Sequence, residues 1–170
     1  MHTPVAEMFG IDAPIFAFSH CRDVVAAVTR AGGMGVLGAA WLTPEELEVS
    51  IDWIRKRVDG KPFGVDLVFP GIHGDEKSPQ EYLRQIPPQY MGFVGKLLDD
   101  AGIADLPAAD REQHMVEYAQ RMAMTHEKSR KQLEISLDNS IPLVVGALGV
   151  TPAWVVEAAR ARGTRTGALV

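Results

Sequence analysis

Short apolar runs alternate with amphipathic helical patterns along this chain, the arrangement expected of an α/β protein. Residues 14–18 (PIFAF) predict a first strand, entered through a proline whose missing N–H falls outside the ladder. Residues 23–31 predict a helix with Val24, Val25, Ala27, Val28 and Ala31 on a broad apolar face. Gly32 is placed to end it, because glycine takes left-handed backbone without strain. Residues 34–39 predict a second strand. Thr43, Pro44 and Glu46 then mark a helix start: Thr43 caps, Pro44 suits the first helical position, and Glu46 completes a capping box. Leu47, Ile51, Ile54 and Val58 share one face of that helix. Residues 62–69 predict a third strand, apolar enough to be buried on both faces as in a parallel sheet.

The rhythm breaks after Pro70, and the connection to the next strand is far longer than an ordinary βα loop. Residues 71–140 are expected to form an α-helical insertion, with stops at Pro87-Pro88 and over 102–107. Its strongest helix is expected over 110–137, striped by Met115, Tyr118, Ala119, Met122 and His126. The alternation resumes with a strand at 143–148, a helix at 151–162 and a strand at 165–170. Thr151-Pro152 repeats the cap-plus-proline start, and Gly163 is placed as a stop. Five strands, each joined to the next through helix, are therefore predicted, with no short-period repeat.

Composition narrows this picture. At 170 residues, 46% hydrophobic and 23% charged, the chain suits one domain over 1–170. A formal charge of −5 argues against a nucleic-acid partner, which favours a basic face. Cys21 is the single cysteine, which excludes an internal disulfide and fits a reducing compartment. The first residues, MHTPVAEMFG, lack the basic-then-apolar pattern of a signal peptide. The longest apolar stretch, residues 143–150, falls far short of the roughly 20 residues that span a bilayer. A cytoplasmic protein without a membrane partner is expected.

Gly33, Gly35 and Gly38 match G-x-G-x-x-G, but the match has the wrong polarity. A dinucleotide fingerprint runs strand, glycines, helix, so that a pyrophosphate meets a helix N-terminus. Here the glycines follow a helix and enter a strand, and a tight turn with close packing is the better reading.

The wider pattern resembles the nitronate monooxygenase family. FGIDAPI over 9–15 looks like that family's entry to strand one. AAVTRAGGMGVLG over 26–38 is similar to its AAVSxAGGLGxLG segment, and KPFGVDL over 61–67 to its KPFGVNL strand. PLVV from Pro142, followed by Pro152 and a helix ending at Gly163, looks like its fourth strand and helix. The resemblance implies a partial (β/α)8 TIM barrel, about its first five strands, with the insertion after strand three. It further implies FMN as cofactor, oxidation of alkyl nitronates with O2, and flavin-dependent enoyl reductases as relatives.

In such a barrel the site forms at the C-terminal ends of the strands. These ends are residues 17–20, 38–41, 66–69 and 147–149. The first matches the family's A-P-M turn, whose backbone meets the flavin ring; here it reads Ala17, Phe18, Ser19 and leads into His20. Asp66 stands where the family carries a flavin-contacting Asn. An ionised Asp only accepts hydrogen bonds, so it suits the flavin N3–H, or else needs a raised pKa. These five residues are the candidate cofactor contacts. His73, Asp75 and Glu76 read as a polar loop rather than metal ligands, His114 and His126 lie too far apart to pair on one turn, and Cys21 lacks a supporting motif.

No catalytic residue is assigned, because the family's histidine lies in a later G-x-E-A-G-G-H segment, beyond Val170. A full barrel typically needs about 250 residues, with phosphate bound after strands seven and eight. The 170-residue chain alone is therefore expected to be inactive and to self-associate through open strand edges. A small-molecule substrate belongs to the complete enzyme. The alternatives are an enoyl reductase-like enzyme or a non-catalytic half-barrel remnant.

Overall fold

The computed structural model describes residues 3–70, 81, 84–104 and 106–169. They form two compact units, one holding the residues up to 73 and from 124 onward, the other residues 74–123.

The first unit is a five-stranded parallel sheet in the order β1-β2-β3-β4-β5. Its strands are β1 (Phe16–Ser19), β2 (Met34–Gly38), β3 (Gly64–Leu67), β4 (Leu143–Gly146) and β5 (Arg165–Ala168). Sequential order with every pair parallel is the topology of a (β/α) barrel segment. β2 and β3 are buried along their whole lengths, whereas β1 and β5, each with one neighbour among the described residues, are half exposed.

Two cores cover the two faces of the sheet. On the outer face, Leu37, Val65, Leu67 and Val144 pack against helices α2 (Arg22–Arg30) and α3 (Pro44–Arg55). Leu47, Ile51 and Ile54 of α3 are fully buried there, each contributing about 2 kcal/mol. The predicted capping box is formed: Thr43 Oγ1 accepts from Glu46 N at 3.2 Å, and Glu46 Oε2 accepts from Thr43 N at 2.9 Å. On the inner face, Met34, Val36 and Leu143 pack with Ala6 and Ile11. Ala6 lies on a short helix not predicted above, α1 (Pro4–Phe9), started by the same Thr-Pro pair as α3.

Gly35 shows why the second segment is glycine-rich. A Cβ there would fall 2.3 Å from Val25 O and 2.8 Å from Val25 Cα, so α2 rests directly on the backbone of β2. The glycines enter a strand and bring helix and sheet together, and the next helix, α3, starts only at Pro44, after that strand has ended.

The stretch expected as one insertion divides between the units. The second unit holds α4 (Pro88–Asp100) and α5 (Ala108–Met122). The single helix expected over 110–137 is corrected to two. Thr125 adopts extended backbone and caps α6 (His126–Asp138) by accepting from Lys128 N, taking over a donor that a continuous helix would satisfy internally. Helix α6 belongs with the sheet, packing on α3 and β3 as the crossover between β3 and β4. Its buried face reads Ser129, Gln132, Leu133, Ser136 and Leu137, too polar to register as an apolar stripe. The expected stripe dissolves: Tyr118 is 63% exposed and His126 is exposed.

A second correction concerns Thr151. Helix α7 (Ala153–Ala161) starts after Pro152 without a side-chain cap. Thr151 Oγ1 donates instead to Gly167 O at 2.7 Å, tying the β4–α7 loop to β5.

Candidate functional site

Parallel register sets Gly38, Asp66 and Val145 side by side, with Gly167 next in line. Side chains alternate along a strand, so this layer shares the inner face with Val36 and Leu143 one pleat below. It lies at the C-terminal ends of β2 and β3. The chain ladder continues past it, with Ala39 N donating to Asp66 O at 2.9 Å and Ala147 N to Leu67 O at 2.9 Å.

Asp66 is 2% exposed, and its Oδ2 has no hydrogen-bond partner among the described residues. A carboxylate in this position is costly. Burial pushes the Asp66 carboxyl up to about 6, against the pull of His20 in the other direction. Oδ2 therefore lacks the structural pairing that a buried carboxylate ordinarily has.

His20 follows β1 and leans over Gly38. A Cβ on Gly38 would fall 2.7 Å from His20 Nδ1 and 2.7 Å from the Phe18 ring, so only glycine leaves room for both rings. Phe18 and His20, both exposed, pack edge to face with centroids 5.0 Å apart. His20 Nε2 accepts from Trp41 Nε1 at 3.1 Å, and His20 Nδ1 lies 3.1 Å from Gly38 O. The imidazole is thus bonded at both nitrogens, although the residue itself is exposed.

The remaining predicted contacts separate by face. Phe18 shares the inner face and is 51% exposed. Ala17 and Ser19 alternate to the opposite side, Ala17 pairing with Gly35 where α2 packs. Ser19 Oγ accepts from Cys21 N at 3.0 Å and holds the turn into α2. The structure therefore gathers Phe18, His20 and Asp66 around Gly38, and leaves Ala17 and Ser19 to contribute through backbone.

Sequence reasoning missed the residues that hold the site's loop. Gln132 on α6, 2% exposed, donates to Ala39 O at 2.9 Å and to Leu42 O at 2.8 Å. Lys128 Nζ donates to Ala40 O at 2.9 Å, and Ser129 Oγ to Val68 O at 2.8 Å. These bonds clamp the segment that carries Trp41. The only sequence signal was a polar face on a helix next to an apolar sheet. Cys21 is exposed, with Sγ 3.7 Å from Asp23 Oδ2, and takes no part in this layer. His114 lies 3.6 Å from Glu117 on exposed α5. Among the described residues no group of three or more His, Cys, Asp or Glu is placed to hold a metal, and no helix is long and apolar enough to cross a membrane. His73, Asp75 and Glu76 lie outside the described residues.

Comparison with known proteins agrees with the fold. The family model for nitronate monooxygenase matches residues 5–166. Rv1533 of Mycobacterium tuberculosis, provisionally named a monooxygenase, is 38% identical over 173 residues, covering 99% of this chain and 45% of the relative. Among solved structures, FabK from Thermotoga maritima superposes with a TM-score of 0.60 at 18% identity, covering 100% of this chain and 38% of that one. Nitroalkane oxidase from Streptomyces ansochromogenes gives 0.60 at 22% identity, covering 98% of this chain and 42% of that one. The chain thus spans less than half the length of each of these relatives. The fold is an α/β partial TIM barrel.

Proposed function

This chain belongs to the nitronate monooxygenase family, and we propose that it supplies one wall of an FMN-dependent oxidoreductase site that oxidises alkyl nitronates with O2. The observation carrying this reading is the orphaned Oδ2 of Asp66, buried at the C-terminal end of β3 between Gly38 and Val145. A buried acceptor without a partner calls for an explanation, and a ligand donor supplies one. Above about pH 6 the carboxylate accepts, and an imide N–H such as that on the flavin pyrimidine edge is the matching donor. When bound, the flavin supplies the redox chemistry: it takes electrons from the nitronate and passes them to O2. The protein's part is to orient the ring, through Asp66 and the backbone of residues 17–20, with Phe18 as packing surface. The substrate is a small molecule, and the single cysteine fits a cytoplasmic setting.

The 170-residue chain by itself is proposed to be inactive and to self-associate. β1 and β5 each leave one edge unpaired among the described residues, and Ile15, Phe16 and Phe18 are 60%, 41% and 51% exposed beside the β1 edge.

The test is direct. Purified from cells expressing its whole gene, the protein is expected to be yellow, with flavin absorbance, and to consume O2 when a propyl nitronate is added. Colourless protein that takes up no FMN overturns the reading. Oxidation of NAD(P)H without any nitronate would point instead to an enoyl reductase-like activity.

A further inference from the structure

An unpaired buried carboxyl beside an imidazole ordinarily collapses into an Asp–His hydrogen bond, which is charge-assisted and strong. Here it has not. Asp66 Oδ2 stays without a partner among the described residues while His20 spends both ring nitrogens elsewhere. The indole N–H of Trp41 is a donor only, so His20 Nε2 must accept, and the ring's proton sits on Nδ1, where it donates to Gly38 O. We propose that Trp41 is a positioning residue: its N–H confines His20 to the Nδ1–H tautomer, parks the ring over Gly38, and so keeps the imidazole from satisfying the buried Oδ2 of Asp66, which is left to a ligand donor.

The arrangement reaches back to α6. Gln132 and Lys128 hold Ala39 O, Ala40 O and Leu42 O, the carbonyls on either side of Trp41, so the indole is delivered from a fixed loop. β2 and β4 carry no ionisable side chain, and Lys128 of α6 is bonded to Ala40 O. His20 is the group whose placement decides whether Asp66 is satisfied internally. Freed from Trp41, its imidazole can turn, present an N–H to Oδ2 and close the acceptor.

This deepens the flavin-site reading and rests on it for the purpose of the open acceptor; the tautomer itself needs no ligand. The experiment is side-chain NMR on the unmodified chain and on Trp41→Phe, with nitrogen-15 in histidine and carbon-13 in the Asp carboxyl groups. In the unmodified chain His20 is expected to show protonated Nδ1 and unprotonated Nε2. In Trp41→Phe that pattern is expected to be lost, and the Asp66 midpoint to fall by a unit or more as the imidazole turns to it. Trp53→Phe, which removes an indole packed between Arg22 and Arg57, is expected to change neither. An Nε2–H tautomer in the unmodified chain overturns the proposal whether or not the variant folds. So does an unchanged His20 pattern with an unchanged Asp66 midpoint in folded Trp41→Phe. Failure of FMN uptake with the expected tautomer present would sink the flavin reading alone.

Discussion

Asp66 lies directly across the β2–β3 ladder from Gly38, so a buried carboxyl faces a position where no side chain exists. The space over Gly38 is taken by two rings, Phe18 and His20, which reach across from β1. The layer combines a buried acceptor, a bound imidazole and an exposed aromatic face, and each part answers to a different substitution.

Asp66→Asn tests the ionisation. Burial pushes the Asp66 carboxyl up to about 6 from an ordinary value of 3.8, so the native chain binds the proton more tightly than the unfolded chain. The associated stability is fully present below about pH 4 and is lost as pH rises through 6. Asn lacks this penalty. Relative to the unmodified chain it is expected to gain on the order of 2 kcal/mol at pH 7.5 and little at pH 4. Urea titrations at the two pH values check this; a pH-independent difference would show that Asp66 does not titrate as described.

Gly35→Ala and Gly38→Ala separate two uses of glycine. At Gly35 the new Cβ meets Val25 backbone at 2.3 Å, which cannot move without displacing α2, and a loss of about 3 kcal/mol is expected. At Gly38 it meets ring ends of Phe18 and His20, which can swing aside. About 1 kcal/mol is expected there, together with loss of the His20 Nδ1–H signature. Equal destabilisation in the two variants would contradict the packing described.

Gln132→Leu removes the donor shared by Ala39 O and Leu42 O. Leaving buried carbonyls unpaired is expected to cost about 2–3 kcal/mol. The Trp41 indole fluorescence should shift as its loop loosens. A variant as stable as the parent would mean that the loop finds other partners.

Thr43→Ala deletes one half of the capping box on α3 and is expected to cost about 1 kcal/mol. Thr151→Ala deletes a bond to β5 rather than a cap. Hydrogen exchange distinguishes them: the first should loosen the start of α3, the second the β4–α7 loop and β5.

Self-association is checked by sedimentation equilibrium of the 170-residue chain. Phe16→Ser combined with Phe18→Ser is expected to weaken it, because both side chains stand exposed on the edge strand β1. A strictly monomeric parent chain would refute the proposal.

The amino-acid sequence by itself determined the elements whose signals are local. Thr43, Pro44 and Glu46 make their cap within four residues, and Leu47, Ile51 and Ile54 declare a buried face by spacing alone. The apolar runs of β2, β3 and β4 declare a parallel sheet in the same way, and Asp66 stood out because it interrupts one of them. Tertiary structure decided the rest. Thr151 and Thr43 carry the same local motif, yet Gly167 O, 16 residues away, claims the Thr151 hydroxyl. Helix α6 was hidden because its buried face is bonded to carbonyls about 90 residues distant, through Gln132, and polar groups satisfied in this way leave no periodic trace. Nothing local pairs His20 with Trp41, 21 positions later, whose indole N–H reaches its Nε2 only in the folded chain. Hydrophobic spacing and helix caps act between near neighbours and can be read along the chain. Which donor finds which acceptor across a sheet depends on the chain's path, and that is known only once it has folded.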